Sequence, residues 1–113
     1  MSINQNIERA LSAIVPNIWP LVCPEEKPPK EYIVYNPEID VPEDFGDNEI
    51  GEWVHFAQVH FFTKSNYLNK RTKIRKALIQ AGFLVSDITT IYENDSGYYH
   101  LCFSCCKEEN MEE

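Results

Sequence analysis

The chain has 113 residues and a mass of 13.2 kDa, a size typical of one domain. Hydrophobic residues make up 43% and charged residues 25%, which argues against wholesale disorder, a collagen and a coiled coil. Ten Lys and Arg residues stand against eighteen Asp and Glu residues, so the net charge is −8. This balance disfavours a general binder of nucleic-acid phosphates or of anionic membranes.

Targeting signals are missing from the sequence as given. No apolar run approaches the roughly 18–20 residues that span a bilayer, and MSINQNIERAL lacks the pattern of a signal peptide. We therefore expect a protein made in the cytoplasm, with its four cysteines as thiols and no membrane partner. We also expect a single domain over residues 1–113, with an ordered core of about 3–106.

The N-terminal third predicts a helix, a connector and a short strand. Apolar residues at helical spacing predict a helix over 3–14, with Ser2 and Gln5 in position for a capping box. Five prolines over 16–30 predict an extended connector, anchored to the core by Trp19, Leu21 and Val22. The β-branched and aromatic run 31–35 then predicts a strand.

A long acidic loop is expected over residues 38–52, since Pro and Gly interrupt it and it contains no basic residue. The spacing of its carboxylates is not that of an EF-hand, so a solvated or partner-facing loop is favoured over a calcium site. Its seven acids are Glu38, Asp40, Glu43, Asp44, Asp47, Glu49 and Glu52.

The second half of the chain is predicted to form most of the sheet. Residues 53–63 alternate apolar side chains on both faces and predict a strand that is central or covered on both sides. A helix over 65–81 follows, with Leu68 in its buried stripe, then a hairpin of strands 83–93 and 98–105. The acidic tail from 107 to 113 is expected to fray. The fold class is therefore α+β, an antiparallel or mixed sheet of about four strands with two helices packed on one face.

Positive charge is concentrated in the second helix. No acid lies between Trp53 and Ser86, and this region holds six basic residues, one of which is Lys64. The rest of the chain holds four basic residues against eighteen acids. Such a helix is either a solvated face, a patch that contacts the acidic loop of its own chain, or a subunit interface. In a head-to-tail assembly, unlike patches of this kind can close a ring. The interface candidates are Lys70, Arg71, Lys73, Arg75 and Lys76.

Signals for catalysis, metal binding or a cofactor are weak. Cys102, Cys105 and Cys106 form C-x-x-C-C, but a strand places positions three apart on opposite faces, and buried thiols are favoured over zinc. His55 and His60 fall on opposite faces of one strand, and no nucleophile elbow or phosphate loop is present. We expect no enzyme, no cofactor and no metal site, and the cysteines receive no functional interpretation.

The order of these segments resembles the tail-terminator and tail-to-head joining proteins of long-tailed bacteriophages and prophages, also called tail completion or minor tail proteins. The resemblance spans roughly residues 5–106: a helix (IERALSAIV), an apolar-Pro segment and strand (WPLVCPEEKPPKEYIVYN), a long acidic loop and an aromatic strand (WVHFAQVHFFTK). A helix ending in glycine (NKRTKIRKALIQAGF) and a hairpin (DITTIYENDSGYYHLCFSCC) complete the pattern.

The resemblance implies a structural virion protein without catalysis or cofactor, assembled in the bacterial cytoplasm and resident in the virion tail. Its subunits would form a homo-oligomer, commonly a hexameric ring, that caps the tail tube and joins it to the head connector. DNA would pass through as cargo, repelled by an acidic lumen. The alternatives are a small nucleic-acid-associated regulator that uses the basic helix, and an acidic inhibitor or immunity-type binding protein.

Overall fold

A computed structural model describes residues 2–42 and 52–110 and shows an α+β fold with two helices and a five-stranded mixed sheet. The order across the sheet is β1-β2-β3-β5-β4; β1 runs parallel to β2, and the other neighbours are antiparallel. Within the described ranges, neither helix has the length and apolar content that a membrane crossing requires. The elements in chain order are α1 (Ile3–Leu11), β1 (Ile18–Pro20), β2 (Glu31–Pro42), β3 (Glu52–Thr63), α2 (Leu68–Gln80), β4 (Leu84–Glu93) and β5 (Tyr98–Asn110).

The N-terminal helix begins as the sequence indicates. The Ser2 hydroxyl accepts a hydrogen bond from the Gln5 amide at 3.2 Å, and the Gln5 side chain accepts one from the Ser2 amide at 3.0 Å. This reciprocal capping box satisfies two amide donors that have no partner within the helix. The regular helix ends at Leu11, and the last three residues of the expected helix form a turn.

A fifth strand lies inside the proline-rich connector, where the sequence predicted none. β1 pairs in parallel with residues 33–35 of β2, and this makes five strands instead of about four. Trp19 packs against the sheet as expected, but Leu21 and Val22 are each 69% exposed, so their predicted anchoring role is wrong. The chain turns away there because Leu21 adopts a φ of 66°.

β2 continues to Pro42, so the expected loop over 38–52 is wrong at both of its described ends. Glu38 and Asp40 belong to β2, and Glu52 begins β3. A register shift after Pro37 realigns the two strands. Beyond its pairing with β1, no described strand covers the outer edge of β2, and an edge position of this kind accommodates proline. Residues 43–51 lie outside the described part.

The C-terminal strand is also longer than expected. β5 pairs with β3 as far as Asn110, so residues 107–110 belong to the sheet and are not a frayed tail. Pairing along nearly the whole of β3 supplies backbone partners that the acidic sequence did not suggest. Residues 111–113 fall outside the described ranges.

The buried core lies between the sheet and the two helices. β3 is central, as predicted, and its Ala57, Val59 and Phe61 are fully buried on the helix side. α2 packs through Ile74 and Leu78. The expected burial of Leu68 is wrong, because this residue opens the helix and is 59% exposed. Other members of this cluster are Ile7, Leu11, Val15, Ile33, Tyr35, Phe83, Leu101, Phe103 and Cys105.

Both ends of α2 have local signals in the sequence. At the start, the Asn66 side chain accepts a hydrogen bond from the Leu68 amide at 2.9 Å. At the end, Gly82 adopts a φ of +96° and donates to Ile79, while the Phe83 amide donates to the Leu78 carbonyl at 2.9 Å. This pair of bonds is a Schellman motif, which requires the left-handed conformation that glycine adopts at little cost.

Candidate functional site

The outer side of α2 carries four of the five candidate basic residues. Lys73 and Lys76 are exposed, and Arg71 and Arg75 are half-buried along the same helix. Among the residues that the structure describes, none of these four forms an ion pair. Positions three and four apart are neighbours on a helix, so Arg71 lies beside Arg75 and Lys73 beside Lys76. These two pairs on the outer side of α2 are together called the basic helix face.

Lys70 differs from its neighbours because it bonds within the protein. Its ammonium group pairs with the Glu31 carboxylate and donates to the Ile14 carbonyl at 3.1 Å. The Thr63 hydroxyl donates to the same carboxylate at 3.0 Å. Lys70 therefore joins α2 to the start of β2 and to the turn after α1.

The candidate acidic residues are divided between strand ends and residues outside the described part. Glu38 and Asp40 are exposed on β2, and the Asp40 carboxylate lies 2.6 Å from Nδ1 of His55 on β3. Glu52 is the first residue of β3. The remaining candidates, Glu43, Asp44, Asp47 and Glu49, lie outside the described residues.

No helix or strand among the described residues packs on the sheet face opposite α1 and α2, and we call this side the open face. The connector covers one end, where Trp19 and Cys23 pack on Tyr32, Val34 and Tyr98. Farther along, large apolar side chains remain in solvent. Four rows of paired residues cross this face, each with one residue from β2, β3, β5 and β4 in that order. The rows are Tyr32, Phe62, His100 and Ile91; Val34, His60, Cys102 and Thr89; Asn36, Gln58, Ser104 and Asp87; and Ile39, Phe56, Cys106 and Leu84.

Two histidines on the open face form a hydrogen-bonded chain. His60 Nδ1 lies 2.8 Å from His100 Nε2, and His100 Nδ1 lies 3.1 Å from the Glu93 carboxylate. The carboxylate assigns a proton to His100 Nδ1, so His100 Nε2 accepts from His60 Nδ1. His60 Nε2 is then an acceptor, and Oε1 of Gln58 lies 3.2 Å from it, so a flip of the Gln58 amide brings its NH₂ group into position as the donor.

The histidines border a cavity of about 400 Å³, whose other lining residues are Val22, Cys23, Tyr32, Val34 and Phe62. Burial, and then the neighbouring His100, lowers the pKa of His60, so this ring is neutral at physiological pH. No group of three or more His, Cys, Asp or Glu side chains within residues 2–42 and 52–110 is arranged to hold a metal ion.

The three clustered cysteines occupy both faces of β5. Cys105 is buried among the helices, and this burial raises its pKa to about 12. Cys102 and Cys106 lie on the open face. Burial, followed by the carboxylates of Asp87 and Glu38, raises the pKa of Cys102. All three are free thiols, and their raised pKa values keep them protonated and weakly nucleophilic at neutral pH.

The sequence predicted the apolar character of the open face but not its exposure. Alternation showed that both faces of β3 are apolar, but it could not show that both helices pack on the same one. The exposed residues Ile39, Leu84 and Ile91 carry no local signal that separates them from core residues. The chain matches no protein-family model and no curated protein sequence.

Proposed function

We propose that this protein is a structural component of a phage or prophage tail, which caps the tail tube and joins it to the head connector as a homo-oligomeric ring. The basic helix face carries the proposal. It holds four cations without a described ion-pair partner in a chain whose net charge is −8. Complementary charge on a neighbouring subunit would satisfy them and set the register of the assembly.

The basic helix face also indicates how the subunits would be arranged. A cationic patch on an otherwise acidic protein favours a contact between two unlike surfaces, because two identical cationic patches repel one another. Contacts between unlike surfaces are head-to-tail, and they close into a ring when the rotation between subunits allows it. The acidic remainder of the chain suits a ring through which DNA passes without adhering. The proposed role requires no cofactor and no chemical step.

Light scattering across protein concentration, at low and high salt, tests the proposal. We expect a discrete cyclic oligomer, a hexamer being the leading size, that forms spontaneously or on addition of tail tubes and weakens as salt rises. The variant Arg71→Glu with Lys73→Glu should remain folded and lose assembly. A matched control, Lys27→Glu with Lys30→Glu, makes the same charge change on exposed connector residues and should assemble normally.

Two results would contradict the proposal. One is a wild-type protein that stays monomeric at every concentration, with and without tail tubes. The other is a double variant with native circular dichroism that assembles like the wild type. Tight binding to DNA or RNA fragments, with affinity falling steeply as salt rises, would instead support the nucleic-acid-associated regulator.

A further inference from the structure

We propose that the open face of the sheet is the docking surface for helix α2 of a second copy of this chain. The basic helix face of one subunit would lie across β4, β5 and β3 of the next. This inference rests on the proposed ring assembly and names its second surface. The occupant is identified by charge, by exposed apolar area and by the position of the two surfaces on the subunit.

Charge complementarity is the first argument. Asp87, Glu93 and Glu108 face the open side in the strand register. The positions of the four long strands that face this side hold no lysine or arginine within the described residues. Lys64, just beyond β3, lies over the Tyr98 ring at the end of the face that the connector covers.

The opposing helix is entirely free of acids. Between Leu68 and Gln80, α2 carries five basic residues and no Asp or Glu, and among the residues that the structure describes only Lys70 of these five forms an ion pair. The acidic open face and the basic helix face are therefore opposite in sign. This arrangement both favours their association and disfavours docking of DNA on the open face.

Exposed apolar area is the second argument. On the open face, Phe56 is 38% exposed in the row that also holds the exposed Ile39 and Leu84, and Ile91 is 56% exposed three rows away on β4. On α2, Ile79 is 54% exposed, and Leu68 is exposed as well. Apolar side chains within a charged surround are typical of interfaces, where the apolar part supplies most of the affinity and the charges set the partner.

The position of the two surfaces is the third argument. α1 and α2 pack on one side of the sheet, and the open face is the other side. Each subunit therefore presents the helix to one neighbour and the sheet to the next, and both contacts can form at once. A second copy would cover the open face with a helix, as the subunit's own helices cover the opposite face. Repetition of this contact gives a ring or an open helical filament.

Mixing two blocked variants tests the inference. The first, Lys73→Glu with Lys76→Glu, blocks the helix, and the second, Asp87→Lys with Ile91→Lys, blocks the sheet. Each mutated side chain is exposed, so both variants should fold. Each should raise the dissociation constant for assembly by about tenfold or more, since attractive contacts become repulsive. An equimolar mixture should form a heterodimer and no ring, because only one intact helix and one intact sheet remain to pair.

Matched controls separate the surface from the charge change. Lys27→Glu with Lys30→Glu repeats the helix substitution on the connector, and Asp95→Lys with Leu21→Lys repeats the sheet substitution on exposed residues outside the rows of the open face. Both controls should assemble like the wild type. Circular dichroism and thermal unfolding establish the fold of every variant.

The outcomes distinguish this inference from the proposed function. A wild type that assembles, together with a sheet-blocked variant that assembles equally well, overturns the inference and leaves the ring in place. Blocked variants that fail alone and also fail to pair with each other overturn it as well, since complementary surfaces must rescue one another. A wild type that never assembles removes the proposed function itself.

Discussion

Replacement of Lys70 by methionine should destabilise the subunit without weakening assembly. Lys70 and Glu31 retain only 29% and 25% of their side-chain exposure, so their pair is largely shielded from water. Methionine preserves the length of the side chain and its packing, but it removes the charge and the donor to the Ile14 carbonyl. The Glu31 carboxylate would keep only the Thr63 hydroxyl as a partner.

The expected cost follows from burial. Breaking an exposed ion pair costs up to about 1 kcal/mol, whereas breaking a fully buried one costs about 3–5 kcal/mol. A pair that is about three-quarters buried, and whose remaining carboxylate keeps one hydrogen bond, should cost about 2 kcal/mol. In a domain of about 100 residues this lowers the Tm by about 10 °C.

Urea unfolding followed by circular dichroism measures the effect, with Lys73→Met as the matched control on the same helix. Lys73 is exposed and has no described ion pair, so its replacement should change stability by less than about 0.5 kcal/mol. The order should reverse for assembly, where Lys73→Met weakens the oligomer and Lys70→Met does not. A Lys70→Met protein as stable as the control would refute the structural role given to Lys70.

Three further predictions concern other contacts. Tyr35 is fully buried and donates to the Glu8 carboxylate, so Tyr35→Phe should cost about 1–2 kcal/mol in urea unfolding; unchanged stability would contradict this bond. Gly82→Ala places a Cβ at a φ of +96° and 3.3 Å from the Lys107 side chain, and it should cost about 1 kcal/mol or more, seen as a lower Tm. The lowered pKa of His60 stabilises the fold fully above about pH 6.5, and this contribution is lost as pH falls toward the folded-state pKa. His60→Gln should therefore flatten the loss of stability below pH 6.5, and an unchanged slope would count against the interpretation.

Local signals in the sequence were sufficient for several features whose partners are close along the chain. The capping box at Ser2, the glycine that ends α2 and the alternation of β3 each depend on residues within a few positions, and the structure confirms all three. The hairpin between β4 and β5 belongs to the same class. These features depend on backbone chemistry that remains the same in any tertiary context.

Strand limits that depend on distant neighbours could not be predicted in this way. β1 is three residues long and ends in proline, and only its pairing with β2 makes it a strand. Pro37 lies inside β2 although proline lacks a backbone donor, because β1 pairs only with residues 33–35 and no described strand continues along that edge.

The candidate site likewise combines features that are predictable from the local sequence with features that depend on distant residues. Segregation of charge onto one helix is visible in composition, but the distinct role of Lys70 arises from Glu31, which is 39 residues away in the chain. The open face likewise depends on which side of the sheet the two helices pack against. No window of sequence holds that information, because it belongs to the packing of the whole subunit.

The position of β5 in the sheet has a consequence for synthesis. β5 lies between β3 and β4, although it follows both in the chain. Until the ribosome has released residues 98–110, β3 exposes one edge along its length and β4 has no neighbour. The nascent chain therefore passes through a stage with an unpaired, strongly apolar strand, the state most prone to pairing with another chain. Rapid insertion of β5 between β3 and β4 should therefore favour the yield of folded protein.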